Sequence, residues 1–280
     1  MRIKHRFVFN NQSNNFDISK LLNQQGVKFE YSEPFTIFEL FEDQTCFEEI
    51  IQLLAPYNVS RNLPEAIYTR EEINTAQWLT VRSNWRSLYP YPRENMGYRF
   101  TTYDATDFCE REGAYFCGKG LVQRDSFVLE KAPNWGPRNF LMINWVEDEL
   151  FISQRAEEVL QSSHLMGFEM YDVMDKRKSK MSGIKQMFVK EYLREGLCAE
   201  AIQETLICPK CNLTKYILKA GSTCFKKEVF RDVKNDVVKT KEKFGGIGCI
   251  SLILITHDFY KVLTKAKLDK GLVFEPVALL

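Results

Sequence analysis

Two stretches decide the fold: Phe151-Ile152-Ser153-Gln154-Arg155-Ala156-Glu157-Glu158-Val159-Leu160 and Leu254-Ile255-Thr256-His257-Asp258-Phe259-Tyr260-Lys261-Val262-Leu263. Each opens on apolar residues of strand character and reaches a hydroxyl residue, Ser153 or Thr256, suited to cap a helix. An amphipathic run follows and ends on Val159-Leu160 or Val262-Leu263. Leu165 and Gly167 then match Leu268 and Gly271, each glycine serving as a turn before a last strand over 168–173 or 272–277. One extra residue, within Asp269-Lys270, keeps the glycines in register. Two copies are too few for a solenoid. They predict two similar strand-helix-strand units packed together, arising by duplication or by convergent use of one unit.

Residues 1–62 read as a separate small α/β domain. Arg6 to Phe9 suits a strand and Asp17 to Gln25 a helix, with Asn14 or Asn15 as cap and Gly26 as stop. Val27 to Tyr31 and Phe35 to Phe41 suit two strands. Cys46 to Ala55 is an amphipathic helix with Phe47, Ile50, Ile51 and Leu54 on one face, ended by Pro56. This β-α-β-β-α order resembles one half of a ferredoxin-like fold, which by itself identifies no function. The second domain is expected over 63–280, with a connector at 59–66. Thr69-Arg70-Glu71-Glu72 has the form of a capping box for a helix running to Trp78.

Residues 78–145 carry all four tryptophans (Trp78, Trp85, Trp135 and Trp145) together with Tyr89-Pro90-Tyr91-Pro92, so a loop-rich region is expected. Its aromatic residues either build a core without regular structure or form a binding surface, because Trp, Tyr and Arg dominate interface hot spots. The candidate partner-binding residues are Arg82, Trp85, Arg86, Tyr89, Tyr91 and Arg93. Lys176-Arg177-Lys178-Ser179-Lys180 reads as a solvated loop between the two copies.

The chain has 280 residues, a formal net charge of +1, 45% hydrophobic and 27% charged residues, which is ordinary for a globular protein. A near-neutral charge makes nucleic acid a weak default partner. The apolar stretch after Met1 to Arg6 is too short for a signal-peptide core. No run reaches membrane-span length, and Ile250 to Ile255 has the length of a buried strand. The expectation is a cytoplasmic protein whose eight cysteines stay reduced.

In that compartment clustered cysteines point to metal or redox chemistry. Cys208-Pro209-Lys210-Cys211 has the spacing of a knuckle that grips one zinc ion. Asn212 stands where the turn needs a residue tolerant of left-handed backbone. A strand-like segment, Lys215 to Lys219, follows the motif, whereas a thioredoxin-like redox site would open a helix. Cys109 and Cys117 are the natural second pair, brought together by a hairpin between them. Cys198 and Cys224 are reserve ligands, and Cys46 and Cys249 read as core residues.

Enzyme signatures are missing. The three histidines, His5, His164 and His257, lie in no metalloprotease motif, and no nucleophile elbow or Walker loop occurs. No local signature pairs Cys117 with His164. Gly245-Gly246-Ile247-Gly248 precedes a strand, the reverse of a phosphate loop. Glu147-Asp148-Glu149 reads as a hairpin tip. No catalytic residue is assigned.

The segment from Cys109 to Gly118, then Cys208 to Asn212 and the ending Gly271-Leu272-Val273-Phe274-Glu275-Pro276-Val277, is similar to the double-CxxCG family of bacterial proteins. A related family of bacterial immunity proteins shares the ending. The resemblance spans roughly residues 98–280. It implies zinc ligation by Cys109, Cys117, Cys208 and Cys211, and a non-enzymatic role neutralising a toxin or other effector protein. This chain departs from the family pattern in having seven residues between Cys109 and Cys117, and Asn212 in place of Gly. The expectation is therefore an α+β protein with a structural zinc, acting as an immunity or inhibitor protein. The alternatives are a zinc-ribbon-type nucleic-acid accessory protein and a phage or mobile-element anti-defence protein.

Overall fold

The computed structural model describes residues 1–57, 59–61, 64–104, 109, 117–246 and 248–280. The chain forms two compact units, Met1–Glu72 and Ile73–Leu280, and both mix strands with helices, so the fold is α+β.

In the first unit, β1 (Arg2–Asn10), α1 (Ser19–Gln24), β2 (Phe29–Ser32), β3 (Phe35–Phe41), α2 (Phe47–Leu54) and β4 (Val59–Arg61) follow in order. The sheet order is β2-β3-β1-β4, every pair antiparallel. This is the full double split β-α-β arrangement of the ferredoxin-like fold. Alternation along β1 and β3 sends Phe7, Phe9, Phe38 and Leu40 inward against Leu22, Phe47, Ile50 and Leu54 of the helices. At α1 the cap position is Ile18, not Asn14 or Asn15, and the Asp17 carboxylate just before it accepts the Ser19 N–H at 2.9 Å. The 59–66 segment is not a connector. It contains β4 and the start of β5 (Glu65–Ile67), and both pair with the long β1, which has backbone donors left over beyond β3. For that reason the first unit runs on to Glu72 rather than ending at 62.

The capping box forms as read. The Thr69 hydroxyl accepts the Glu72 N–H at 3.2 Å and Glu72 accepts the Thr69 N–H at 2.8 Å. The helix it opens, α3 (Arg70–Thr75), stops before Trp78, which starts β6 (Trp78–Ser83). Burial of Trp78, Leu79 and Val81 in a central strand overrides the helical reading.

The second unit continues with α4 (Tyr98–Thr102), β7 (Tyr103–Asp104), β8 (Val122–Gln123) and β9 (Phe140–Leu141). Regular structure is sparse here, as the aromatic and proline content predicts. Then come β10 (Leu150–Ser153), α5 (Gln154–Ser162), β11 (Phe168–Met174), β12 (Lys180–Val189) and β13 (Tyr192–Leu193). The chain ends with β14 (Ile202–Ile207), β15 (Thr214–Leu218), β16 (Cys224–Phe225), β17 (Val237–Thr240), β18 (Lys243–Phe244), β19 (Ile253–Thr256), α6 (His257–Lys265), β20 (Leu272–Pro276) and β21 (Ala278–Leu279).

The two matched stretches form the two strand-helix-strand units. Ser153 Oγ accepts the Ala156 N–H at 3.2 Å and Thr256 Oγ1 the Phe259 N–H at 3.3 Å, capping α5 and α6 alike. Gly167 and Gly271 both take positive φ, 106° and 87°. Each unit is also split the same way. In β11-β12-β10-β9, β12 lies between the unit's own strands, and in β13-β17-β19-β6-β20, β6 does so. Both helices bury their apolar stripes in one shared core, with Ala156 and Leu160 beside Phe259 and Leu263. Among the described residues no helix is long and apolar enough to cross a membrane.

Candidate metal centre

The β14–β15 hairpin pairs Ile207 with Thr214 and leaves the Cys208–Leu213 turn at its tip. The Asn212 N–H bonds the Cys208 carbonyl at 2.8 Å and the Cys208 N–H bonds the Leu213 carbonyl at 3.0 Å, which curls the turn into a knuckle. Asn212 has φ of 58°, the left-handed conformation its position demanded. The second pair is anchored by the Cys109 N–H on the Lys119 carbonyl at 3.4 Å, and by Gly118 after Cys117. Gly118 has φ of 80°, and a Cβ there would overlap the Cys249 side chain. The hairpin expected between Cys109 and Cys117 lies outside the described residues.

The four sulfur atoms of Cys109, Cys117, Cys208 and Cys211 lie within 4.8 Å of one another, although Cys109 and Cys208 are 99 positions apart in the chain. Cys109 and Cys208 are 3.9 Å apart and Cys117 and Cys211 3.2 Å apart, Sγ to Sγ. A tetrahedral four-thiolate site with metal–sulfur bonds of about 2.3 Å needs sulfur separations of about 3.8 Å. Three of the four side chains are buried and Cys211 is half-buried, and all are free thiols. This set could hold one metal ion. Burial pushes the Cys109 and Cys117 thiols up, and neighbouring cysteines add to it. The backbone N–H groups of Cys211 and Lys210 point at Cys208 and bring it down to about 6. Cys208 thus ionises ahead of Cys109 and Cys117, which give up protons as an ion arrives.

Cys198 and Cys224 are not at this centre. Their sulfurs meet each other at 2.9 Å across the Leu197–Phe225 bridge, in a small buried cluster of their own. Cys46 and Cys249 are half-buried rather than fully in the core. Lys215 Nζ donates to the carbonyls of Gly246 at 2.7 Å and Gly248 at 3.0 Å, so that turn presents acceptors to a cation, as a phosphate loop would not. Lys176 and Lys180 of the basic loop are paired with Glu130 and Asp172, each at 2.6 Å.

Of the candidate partner-binding residues, Tyr89, Tyr91 and Arg93 join one array through Glu130 and Lys176, whereas Arg82, Trp85 and Arg86 make contacts of their own. Arg82 lies on β6 near Glu275, at 3.6 Å. Trp85 is half-buried, edge-on to Trp135 at 5.5 Å with Arg138 over its ring at 5.3 Å. Arg86 bonds Glu147 at 2.6 Å. Tyr89 packs on Trp145 at 4.7 Å, with Arg93 over it at 5.0 Å. Arg93 bonds Glu130 at 2.6 Å, and Lys176, on the same carboxylate, lies over Tyr91 at 4.7 Å. The core reading of these aromatics holds for Trp85, which packs against the buried cluster that contains Phe127 and Leu141.

Residues 147–149 lie in the loop that joins the antiparallel β9 and β10, as the hairpin reading expected, but Glu149 turns inward from it. It is 5% exposed, and its carboxylate accepts from Lys239 Nζ on one oxygen and from Gln186 Nε2 on the other, at 3.1 Å for the latter. Gln186 in turn exchanges two amide bonds with Gln123, at 2.7 and 2.8 Å. Burial alone would lower the Lys239 pKa, but Glu149 and Asp148 outweigh it and hold it well above its ordinary value. Burial pushes Glu149 the other way, toward the neutral acid, against the pull of Lys239. We assign the charged pair, because each carboxylate oxygen accepts a hydrogen bond from a buried donor. The one sequence cue was a lysine inside the apolar run Val237-Val238-Lys239 of β17.

No protein-family model matches the chain, and no curated protein matches it.

Proposed function

We propose that this is a non-enzymatic binding protein, an immunity or inhibitor protein that neutralises a bacterial toxin or effector. In this reading the four-cysteine centre holds zinc as a structural staple. Four thiolates suit zinc among the divalent ions, and a closed site with four protein ligands leaves no position for substrate. The observation that carries the reading is the stretch from Arg86 to Arg93. Its aromatic rings and guanidinium groups are half-exposed, and are held in place by Glu147, Glu130 and Lys176. Ordering them before binding lowers the entropic cost of docking and suits an interface hot spot.

The test is co-expression with the protein encoded beside this gene. Wild type should rescue growth from that protein's toxicity, and the double variant Tyr91→Ala/Arg93→Glu should lose rescue while keeping its metal and circular dichroism. Rescue unchanged in the variant would rule out this surface, and no rescue by wild type would rule out this partner class.

One observation favours a second reading, a zinc-ribbon-type nucleic-acid accessory protein. A cleft of about 590 Å³ beside the Cys211–Asn212 knuckle is lined by Lys119, Lys226 and Lys241. The same cleft carries Glu195, which pairs with Lys241 at 3.4 Å, and the buried Glu242, and these acids weaken its appeal to phosphate. Oligonucleotide binding that falls steeply with added salt, and falls further in Lys119→Ala/Lys226→Ala, is the expected result under this reading. Salt-independent or absent binding discards it.

A further inference from the structure

A cavity of about 520 Å³ has the buried Glu149 in its wall, together with the rings of Tyr98, Tyr103, Trp145, Phe188 and Tyr192. That volume suits a small-molecule site. Trp145 is 41% exposed and adopts φ of 70°, a left-handed conformation that costs a bulky residue energy and recurs at functional sites. Its ring stacks on Tyr98 at 6.0 Å and its carbonyl accepts the Tyr98 hydroxyl at 3.3 Å, so the strained residue is held in place.

The charged groups of the wall are Glu147, Asp148, Glu149, Arg99, Lys190 and Lys243. Glu147 is neutralised by Arg86, Glu149 by Lys239 and Lys190 by Glu169. Arg99 donates to the Tyr98 hydroxyl at 3.4 Å and lies over its ring. Asp148 and Lys243 differ, having no ion-pair partner among the described residues. Ser251, 2% exposed, bonds both. Its hydroxyl accepts Lys243 Nζ at 2.8 Å and its N–H reaches Asp148 Oδ2 at 3.4 Å. The cavity thus presents on aromatic walls one carboxylate, which also acts electrostatically on Lys239, and one ammonium, which lies over the Tyr192 ring at 5.6 Å, neither of them in a salt bridge among the described residues.

We infer that this cavity binds a small zwitterion of the α-amino-acid or dipeptide class. Its ammonium meets Asp148 and the faces of the tyrosine rings, and its carboxylate meets Lys243. Its apolar body lies against Trp145 and Phe188. Shielding from water inside the cavity strengthens both ionic contacts. This inference stands apart from the toxin-neutralising role and can hold or fail without it.

The test is calorimetric titration of the full-length, metal-loaded protein with L-norleucine, L-alanyl-L-norleucine, n-pentylamine and hexanoate. Saturable binding of norleucine or the dipeptide is expected, and whichever binds tighter fixes the size class. Each half-ligand should bind about tenfold more weakly or worse, as loss of one charge-assisted contact implies. Asp148→Asn should reduce norleucine to the level of hexanoate, and Lys243→Met to that of pentylamine. A tryptophan fluorescence change on binding should vanish in Trp145→Phe while the calorimetric signal persists. The inference is overturned if neither zwitterion binds saturably, or if a half-ligand binds as tightly as norleucine. Wild-type affinity in Asp148→Asn and Lys243→Met variants with unaltered circular dichroism and metal content would also overturn it.

Discussion

Cys208→Ser is expected to abolish stoichiometric metal and to unfold the β14–β15 hairpin together with the segment around Cys117–Gly120. Wild type should carry about one zinc per chain, and structural zinc contributes on the order of 10 kcal/mol of folding free energy in small zinc domains. Here the larger shared core of α5 and α6 persists without it. The expected loss is therefore smaller, several kcal/mol, and confined to the second unit. The knuckle explains why the effect should be large. Without an ion, four thiols crowd within 4.8 Å with Cys208 prone to ionise, and among the described residues Leu213 is the apolar neighbour outside the cysteines that packs against the cluster. Elemental analysis with hydrogen exchange over residues 202–218 checks it. A variant that keeps its zinc, or a wild type that never holds any, would remove the staple. Chelation of wild type should reproduce the variant's exchange pattern, because both leave the same thiols without an ion.

Lys239→Met should cost about 3–5 kcal/mol, the typical penalty for leaving one partner of a buried ion pair uncompensated. The ammonium is 2% exposed in β17, and among the described residues no other cation forms a salt bridge with Glu149. Once Lys239 is gone, burial and the Asp148 charge outweigh the remaining Gln186 bond and raise the Glu149 pKa in the folded state above its unfolded value. The sign of the pH dependence follows. A group whose folded pKa is raised contributes stability that is present below the unfolded pKa and lost as pH rises through the folded one. The variant should thus be least impaired in mild acid and most impaired near neutrality, as read by urea denaturation at both conditions. Lys239→Met combined with Glu149→Leu should regain most of the loss, since apolar replacement of a whole buried pair is often neutral. A single variant as stable as wild type at pH 7 would mean that water reaches the pair.

Several features of this molecule are local, and the chain declares them openly. The Ser153 and Thr256 caps, the stripe that places Leu160 and Leu263 inward, the glycine turns at 167 and 271 and the Thr69–Glu72 capping box involve residues a few positions apart. Propensity, periodicity and hydrogen-bond satisfaction act over such distances, so a sequence can be read for them. The left-handed Asn212 in the knuckle belongs to the same class.

What the sequence by itself determined is thus the set of elements: the β-α-β-β-α start, the two capped strand-helix-strand units and a cysteine knuckle between strands. Only the tertiary structure decided how they combine. It set β12 and β6 into the middle of the two units, and joined β5 to β1 so that the first unit grew. It brought Cys109 to Cys208 across 99 residues, while steering Cys198 to Cys224 instead. It turned Glu149 inward to meet Lys239 from 90 residues away. The physical reason is common to all of these. Pairing of strands, thiols and charges depends on which groups lose water together, and burial is a property of the packed whole rather than of any one stretch of chain.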